Sequence, residues 1–294
     1  MDVLSDVITV LRTGAPQSGR FERAAPWSER FRLPPGASGF EVVLEGAYTL
    51  TPGGGAPVAM RTGDVAFLPR PGEYEITAPS GPGSVVLCGA YLLGADRGHP
   101  LLEELPDVVH LPARPGRHPR LRATVELLGT ELERPGPGAA AIVPSLLDTL
   151  LLYILRGWLE QAPACPDGPY RWAAALADPA IGAALDAIHD APARPWTVQE
   201  LGARAGLSRS AFAQRFTALV GRPPLAYLTW WRLTTAARLL RSSDAPLNAV
   251  AERVGYGSEY AFAHAFKREF AVSPGRYRAG LEDRVDFAAA APPG

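Results

Sequence analysis

The chain has 294 residues, 47% hydrophobic and 20% charged, with a formal net charge of −1, which fits about two soluble domains able to bury real cores. Two cysteines, Cys88 and Cys165, exclude a disulfide framework and suit a reducing cytoplasm. The charge is unevenly placed: residues 195–280 hold 12 Lys and Arg against 5 Asp and Glu, a balance of +7, whereas residues 1–194 come to −6 and residues 281–294 to −2. A basic end on an acidic body points to a polyanion as its partner. Lys267 is the only lysine, so the sign of that charge carries the argument and its arginine identity does not.

The opening "MDVLSDVITVLRTG" has neither a basic start nor a long apolar run, so no secretory signal is expected. Val3, Leu4, Val7, Ile8 and Leu11 recur at helical spacing and predict a short helix over 1–12. From about 18 to 115 the text turns to short β-like runs ("GFEVVLEGAYTL", "PVAMRTGDVAFLP", "EYEITA", "SVVLCGAYLLG") broken by "PGGG", "RPG" and "PSGPG". Such closely spaced strands without helices between them predict a β-sandwich or small barrel.

Helices are expected again from about 119 to 190. "RLRATVELLGTELER" is set off by "PGPG" from the apolar stretch 139–161. Pro144, Asp148 and Arg156 interrupt that stretch and argue against a membrane span. It is apolar around much of its circumference, which fits either a dimer interface or a core helix. "APACPDGP" at 162–169 reads as a loop, a helix follows near 178–190, and "APARPW" marks the boundary to the basic end.

Within 195–280 the sequence repeats. "LGARAG" (201–206) aligns with "VAERVG" (250–255) at an offset of 49. After the turn the offset is 50, setting Ser208 over Ser258, Phe212 over Phe262, Phe216 over Phe266, Pro224 over Pro274 and Tyr227 over Tyr277. Each copy reads as a helix, a Gly-containing turn with one extra residue in the second, a Ser N-cap and a second helix with aromatics at i and i+4: a helix-turn-helix. The Phe pairs belong to the core. The outward faces carry Arg209, Ser210, Ala213 and Gln214, then Glu259, Tyr260, Ala261, Ala263 and His264, with small residues that let a helix sink towards base edges. Between the copies, 224–244 supplies about 18 helical residues, roughly 27 Å, a spacer fit to set two readers about one DNA turn apart, ~34 Å. A solenoid needs three or more repeats, and a protein-docking module leaves the +7 balance unexplained.

The run from "RPWTVQELGARAGLSRSAFAQRF" to "VGYGSEYAFAHAFKREFAVSPGRYR" strongly resembles the DNA-binding domain of AraC/XylS-type transcriptional regulators. Residues 1–190, through "FEVVLEG", "GDVAFLPRPG" and "HPLLEELPDVVHLPA", look like the cupin-type regulatory domain of one branch of that family. The resemblance implies an α+β multidomain chain. A cupin-like β-barrel or sandwich (18–115) with following helices (119–190) would precede an all-α domain of two helix-turn-helix units joined by a long helix (195–280), and the tail 281–294 reads as disordered. It places the nine outward residues named above at base edges. Ser208, Ser258 and Thr197, at helix starts, and Arg232, on the spacer, fall on the DNA backbone. His264 stands where the family often has Arg, and Ala213 offers no hydrogen bonds. The implied protein is a cytoplasmic regulator of promoter DNA without a cofactor, controlled by a small-molecule effector, meeting RNA polymerase if an activator, and fit to form a homodimer.

The competing class is a metal-dependent cupin oxygenase or isomerase with a DNA-binding appendage. The His-x-His, Glu and later His of such barrels are missing. His99, His110, His118, His189 and His264 all fall off the predicted strands. A carboxylate site using Glu41 and Glu75 is the alternative; the ordinary reading of alternating Glu residues on half-exposed strands turns both to solvent. His99 and His110 read as loop or packing residues, and Cys88 as a small buried hydrophobe, with a redox sensor as the alternative.

Overall fold

The structure is a computed structural model in which residues 3–12, 14–93, 99–161 and 170–279 are described. Cys165, the expected loop at 162–169 and the expected disordered tail at 281–294 lie outside them. In chain order the elements begin with α1 (Val3–Leu11), β1 (Gln17–Arg23), β2 (Trp27–Leu33), β3 (Ala37–Glu45), β4 (Ala47–Pro52), β5 (Val58–Arg61), β6 (Val65–Leu68), β7 (Gly72–Ala78) and β8 (Ser84–Leu92). Then come α2 (Pro100–Glu103), β9 (Val109–Leu111), α3 (Pro119–Glu133), α4 (Ala139–Gln161), α5 (Arg171–Ala177) and α6 (Pro179–Asp190). The last part holds α7 (Val198–Arg204), α8 (Arg209–Val220), α9 (Pro224–Ser242), α10 (Leu247–Arg253), α11 (Glu259–Phe270) and α12 (Pro274–Ala279).

The chain divides into two compact units, the first built on the strands with α3 and α4. Its strands form two antiparallel sheets, β1-β8-β3-β6-β9 and β2-β7-β4-β5. Val43, Ala66 and Val86 of the five-stranded sheet pack against Tyr48, Leu50, Met60, Tyr74 and Ile76 of the four-stranded one. On the other face of the five-stranded sheet, Phe40 and Phe67 pack their rings on Tyr91, whose hydroxyl donates to the Leu147 carbonyl of α4 at 2.8 Å. β3 is therefore a central strand covered on both faces, which is why its residues 37–43 are all buried.

α4 is long and apolar enough to cross a membrane by length and composition. Here one of its faces, Leu147, Leu150, Leu151, Ile154, Leu155 and Trp158, is buried within this unit, where α4 packs on α3 and β9. A Cβ at Gly157 would lie 3.0 Å from the Leu111 side chain and 3.2 Å from His118, so glycine sets how closely α4 approaches β9. His110, expected off the strands, lies on β9, where it pairs with Asp64 at 3.1 Å. Asp64 also accepts from the Arg61 and Ala113 amides, which ties this three-residue strand to its sheet. A strand so short leaves no alternation to read.

The second unit contains α1, residues 99–104, α5, α6 and every helix from α7 onwards. Its grouping runs across the boundary near 190 that the sequence suggests. The cause is packing. α1 buries Val3, Leu4, Val7, Ile8 and Val10, and Arg241 of α9 donates to the Val10 carbonyl at 3.0 Å. Trp172 of α5 and His99 place their rings on Tyr227, and His99 also on Trp230. His189 of α6 stacks on Trp231 with centroids 3.9 Å apart.

Candidate nucleic-acid interface

The two repeats fold alike down to single hydrogen bonds. In the first, Ala205 is the C-cap of α7, Gly206 takes φ 66°, and the Leu207 amide returns to the Gly202 carbonyl at 2.9 Å. In the second, Gly255 takes φ 84° and the Tyr256 amide returns to the Ala251 carbonyl at 2.9 Å. Both glycines sit in the left-handed region that favours glycine. The extra residue of the second turn is Gly257, placed before the Ser cap. Ser208 then caps α8 by accepting from the Ala211 amide, and Ser258 caps α11 by accepting from the Ala261 amide. Thr197 closes a reciprocal capping box with Glu200 at the head of α7.

One face of each second helix is locked into the core. Phe212, Phe216, Phe262 and Phe266 are all fully buried, with intra-pair centroids 5.5 and 5.6 Å apart. α9 carries both pairs: Tyr227 meets Phe216, while Leu233, Ala236, Ala237 and Leu240 lie in one cluster with Phe262 and Phe266. The opposite faces point outward. Arg209, Ser210 and Gln214 on α8, and Glu259, Tyr260, Ala261 and His264 on α11, are exposed, Tyr260 at 82%. Ala213 and Ala263 are half-buried on the flanks of those faces, and Thr197, Ser208 and Ser258 are exposed at helix starts.

Two arginines have internal employment. Arg232 donates through Nε to the Pro192 carbonyl at 2.6 Å and through Nη2 to the Arg194 carbonyl at 2.8 Å. Expected on the DNA backbone, Arg232 has its guanidinium on the segment before α7. That segment lies against the second turn, where a Cβ at Gly255 would fall 2.7 Å from Ala193. Arg215 of α8 pairs with Asp178, the N-cap of α6. Conversely, Lys267 and Arg268 on the last turn of α11 are exposed, as is Arg253 at the end of α10. Basic residues in a last helical turn are legible in the sequence itself.

A second polar constellation lies between the sheets. Glu41, expected to face solvent, is fully buried on the inner face of β3, flanked in register by Ala66 and Cys88. Alternation misleads here because β3 has no solvent face. Tyr74 of the opposing sheet donates to Glu41 Oε1 at 2.9 Å, while Oε2 has no partner. Burial raises the carboxyl pKa to about 8, the Tyr74 bond lowering it and the Glu29 charge adding to the rise. The buried Tyr48 hydroxyl and Trp27 Nε1 also lack partners, and their rings meet edge-on at 6.0 Å. Burial pushes the Cys88 thiol up, away from the thiolate a redox sensor uses. Glu75 sits on the outer face of β7 with Ser28 and Arg30, so Glu41 and Glu75 do not converge on a metal. Among the described residues no group of three or more His, Cys, Asp or Glu could hold one.

A β-sandwich followed by paired helix-turn-helix units on a shared helix defines the class of two-part, DNA-binding regulators. Residues 2–160 match the cupin family and residues 201–280 the helix-turn-helix domain. An AraC-like transcription regulator of Streptomyces antibioticus is 35% identical over 302 residues, covering 95% of this chain and 98% of its own. RclR of Escherichia coli, an RCS-specific HTH-type transcriptional activator, is 30% identical over 95% of this chain and 97% of its own. Among solved structures, the DNA-binding domain of AdpA in complex with a target DNA is similar at 36% identity, covering 36% of this chain and 94% of that one, with a TM-score of 0.34. The chain belongs to the AraC family of DNA-binding transcription regulators.

Proposed function

We propose that the chain regulates transcription by binding a bipartite promoter site, α8 entering one major-groove segment and α11 the next. One observation carries this reading: two Ser-capped helices with buried Phe faces and exposed polar faces are held on one 19-residue helix. At 1.5 Å per residue that helix is about 28 Å long, close to the ~34 Å between successive major grooves on one side of a duplex. Arg209, Ser210, Ala213 and Gln214 read the first half-site; Glu259, Tyr260, Ala261, Ala263 and His264 meet the second. Thr197, Ser208 and Ser258 take phosphates, joined by Lys267 and Arg268.

In this reading the part up to 190 receives a small-molecule effector, the part 195–280 reads DNA, and the protein acts in the cytoplasm without catalysis. Two copies associate through α3 and α4, where Leu127 and Ile142 stand exposed. Where the protein activates, as the name of RclR says of that relative, RNA polymerase is the further partner.

Selection of bound fragments from random duplex DNA at about 0.15 M salt tests the reading, since specific binding must outlast screening. Two short blocks one helical turn apart are expected. A single block, or no enrichment above salt-sensitive general binding, would refute the bipartite reader.

A further inference from the structure

We propose that the interior of the β-sandwich binds a small cationic amphiphile, an aromatic or alkyl body carrying a protonated amine, with the ammonium on Glu41 Oε2 and against the Trp27 and Tyr48 rings. The inference rests on the effector reading above and names its ligand class.

A carboxyl group is an expensive occupant for the middle of an apolar core. Glu41 is fully buried on a central strand, and one of its two oxygens is satisfied by Tyr74 across the sandwich. The other faces the core without a partner. Two more polar groups of the same interior, the Tyr48 hydroxyl and Trp27 Nε1, are also buried and unmatched. Buried polar atoms are nearly always paired, so three orphans in one apolar cluster mark a place built for something besides side chains. On its own sheet Glu41 stands between Ala66 and Cys88 in register, and from the facing sheet Tyr74 meets it.

The chemistry selects among ligands. An anion would find no cation beside Glu41 to balance its charge, since the groups acting on that carboxyl are Tyr74 and the Glu29 carboxylate. A neutral polar ligand could accept from Trp27 and Tyr48 but would leave the carboxyl in its protonated form. A cation alone restores the charged carboxylate that burial suppresses. The rings of Trp27, Phe31, Tyr48 and Tyr74 belong to the same interior, Trp27 edge-on to Tyr48 and Phe31 stacked on Tyr74, and such rings attract ammonium groups.

The test is calorimetric titration of the full chain with phenylalkylamines from benzylamine to 4-phenylbutylamine, in parallel with the matching phenylalkanols, on wild type and Glu41→Gln. At least one amine is expected to bind about tenfold or more tighter than its alcohol, and Glu41→Gln to abolish that preference while the protein still melts cooperatively. Should Glu41→Gln fail to fold, Trp27→Leu serves, expected to weaken the amine about threefold and leave the alcohol unchanged. Equal binding of amine and alcohol, a preference for the alcohol, or no amine binding up to about 1 mM would overturn the proposal. DNA affinity measured alongside separates the two levels. Amine binding that leaves DNA affinity unchanged keeps the site and sinks the effector reading. A DNA response to acidic or neutral metabolites, without amine binding, keeps the effector reading and sinks the ligand class.

Discussion

The hydroxyl of Tyr227 lies 2.8 Å from Nε2 of His189, with both residues buried. The same hydroxyl is 3.4 Å from Nε2 of His99, whose Nδ1 accepts from the Leu101 amide at 3.1 Å. These partners assign the protons: His99 carries its proton on Nε2 and donates to Tyr227, and Tyr227 donates to Nε2 of His189. His189 then carries its proton on Nδ1, facing Asp6 of α1 at 3.4 Å, an ion-pair distance without the alignment of a full hydrogen bond. One tyrosine of the long helix thereby joins α9, α6 and the residues that open α2.

Tyr227→Phe removes the centre of that relay and strands two buried imidazole groups. A loss of about 1–3 kcal/mol is expected, read as a lower urea midpoint for the unit containing α9. An unchanged midpoint would show that the relay contributes nothing to stability.

Acid should weaken the same unit. Burial lowers the pKa of His99, aided by the nearby charges of His189 and Arg222, and lowers that of His189 against the opposing pull of Asp6, Asp186 and Asp190. Folded values below the unfolded value mean that stability is complete above about pH 6.5 and falls as pH drops below it, by up to roughly 1.4 kcal/mol per pH unit for each histidine. Urea unfolding between pH 7.5 and about 5 checks this, and His99→Asn, which keeps a cap acceptor, should flatten the slope.

Glu41 gives the opposite sign. Its folded value of about 8 lies above the unfolded one, so its contribution is complete below about pH 4.5 and is lost as pH rises through 8. Glu29, Tyr48, Tyr74 and Cys88 surround it, and the burial-raised values of the two tyrosines and the thiol leave them neutral over this window. Unfolding of the strand-built unit between pH 6 and 9 should therefore show declining stability in wild type and a flat profile in Glu41→Gln. Matching slopes in the two proteins would remove Glu41 as the cause.

At the DNA face two substitutions should behave differently. Gln214→Ala is expected to cost about 1–3 kcal/mol on the selected site and relax preference at one base pair. Lys267→Ala should lower affinity evenly across sequences and reduce the salt slope by about 1. Equal loss on specific and random DNA from Gln214→Ala would strip it of base reading.

Arg232→Ala discriminates between the two roles that sequence and structure suggest. With its guanidinium on the Pro192 and Arg194 carbonyls, the substitution should lower the melting temperature and leave the salt slope of DNA binding unchanged. A reduced salt slope at unchanged melting temperature would restore it to the DNA backbone.

The repeat told most of its own story in the text. Phe212/Phe216, Phe262/Phe266, the two Ser caps and the extra turn residue are local signals: i,i+4 spacing, a capping hydroxyl and a left-handed glycine act within a few residues. Their structure follows from the chain itself, as do the run of short strands and α1.

What lay beyond the text depends on neighbours distant in sequence. Arg232 reads as one more surface cation until residues 192–194 fold back beneath it. Glu41 reads as the polar half of an alternating strand until the four-stranded sheet closes over it, Tyr74 foremost, and leaves it no solvent. His99 and His189 read as unrelated histidines until Tyr227 brings them together from positions 99, 189 and 227. Local propensity and periodicity decided which elements form; burial and the pairing of buried polar groups, which depend on what packs against what, were decided only by the tertiary structure.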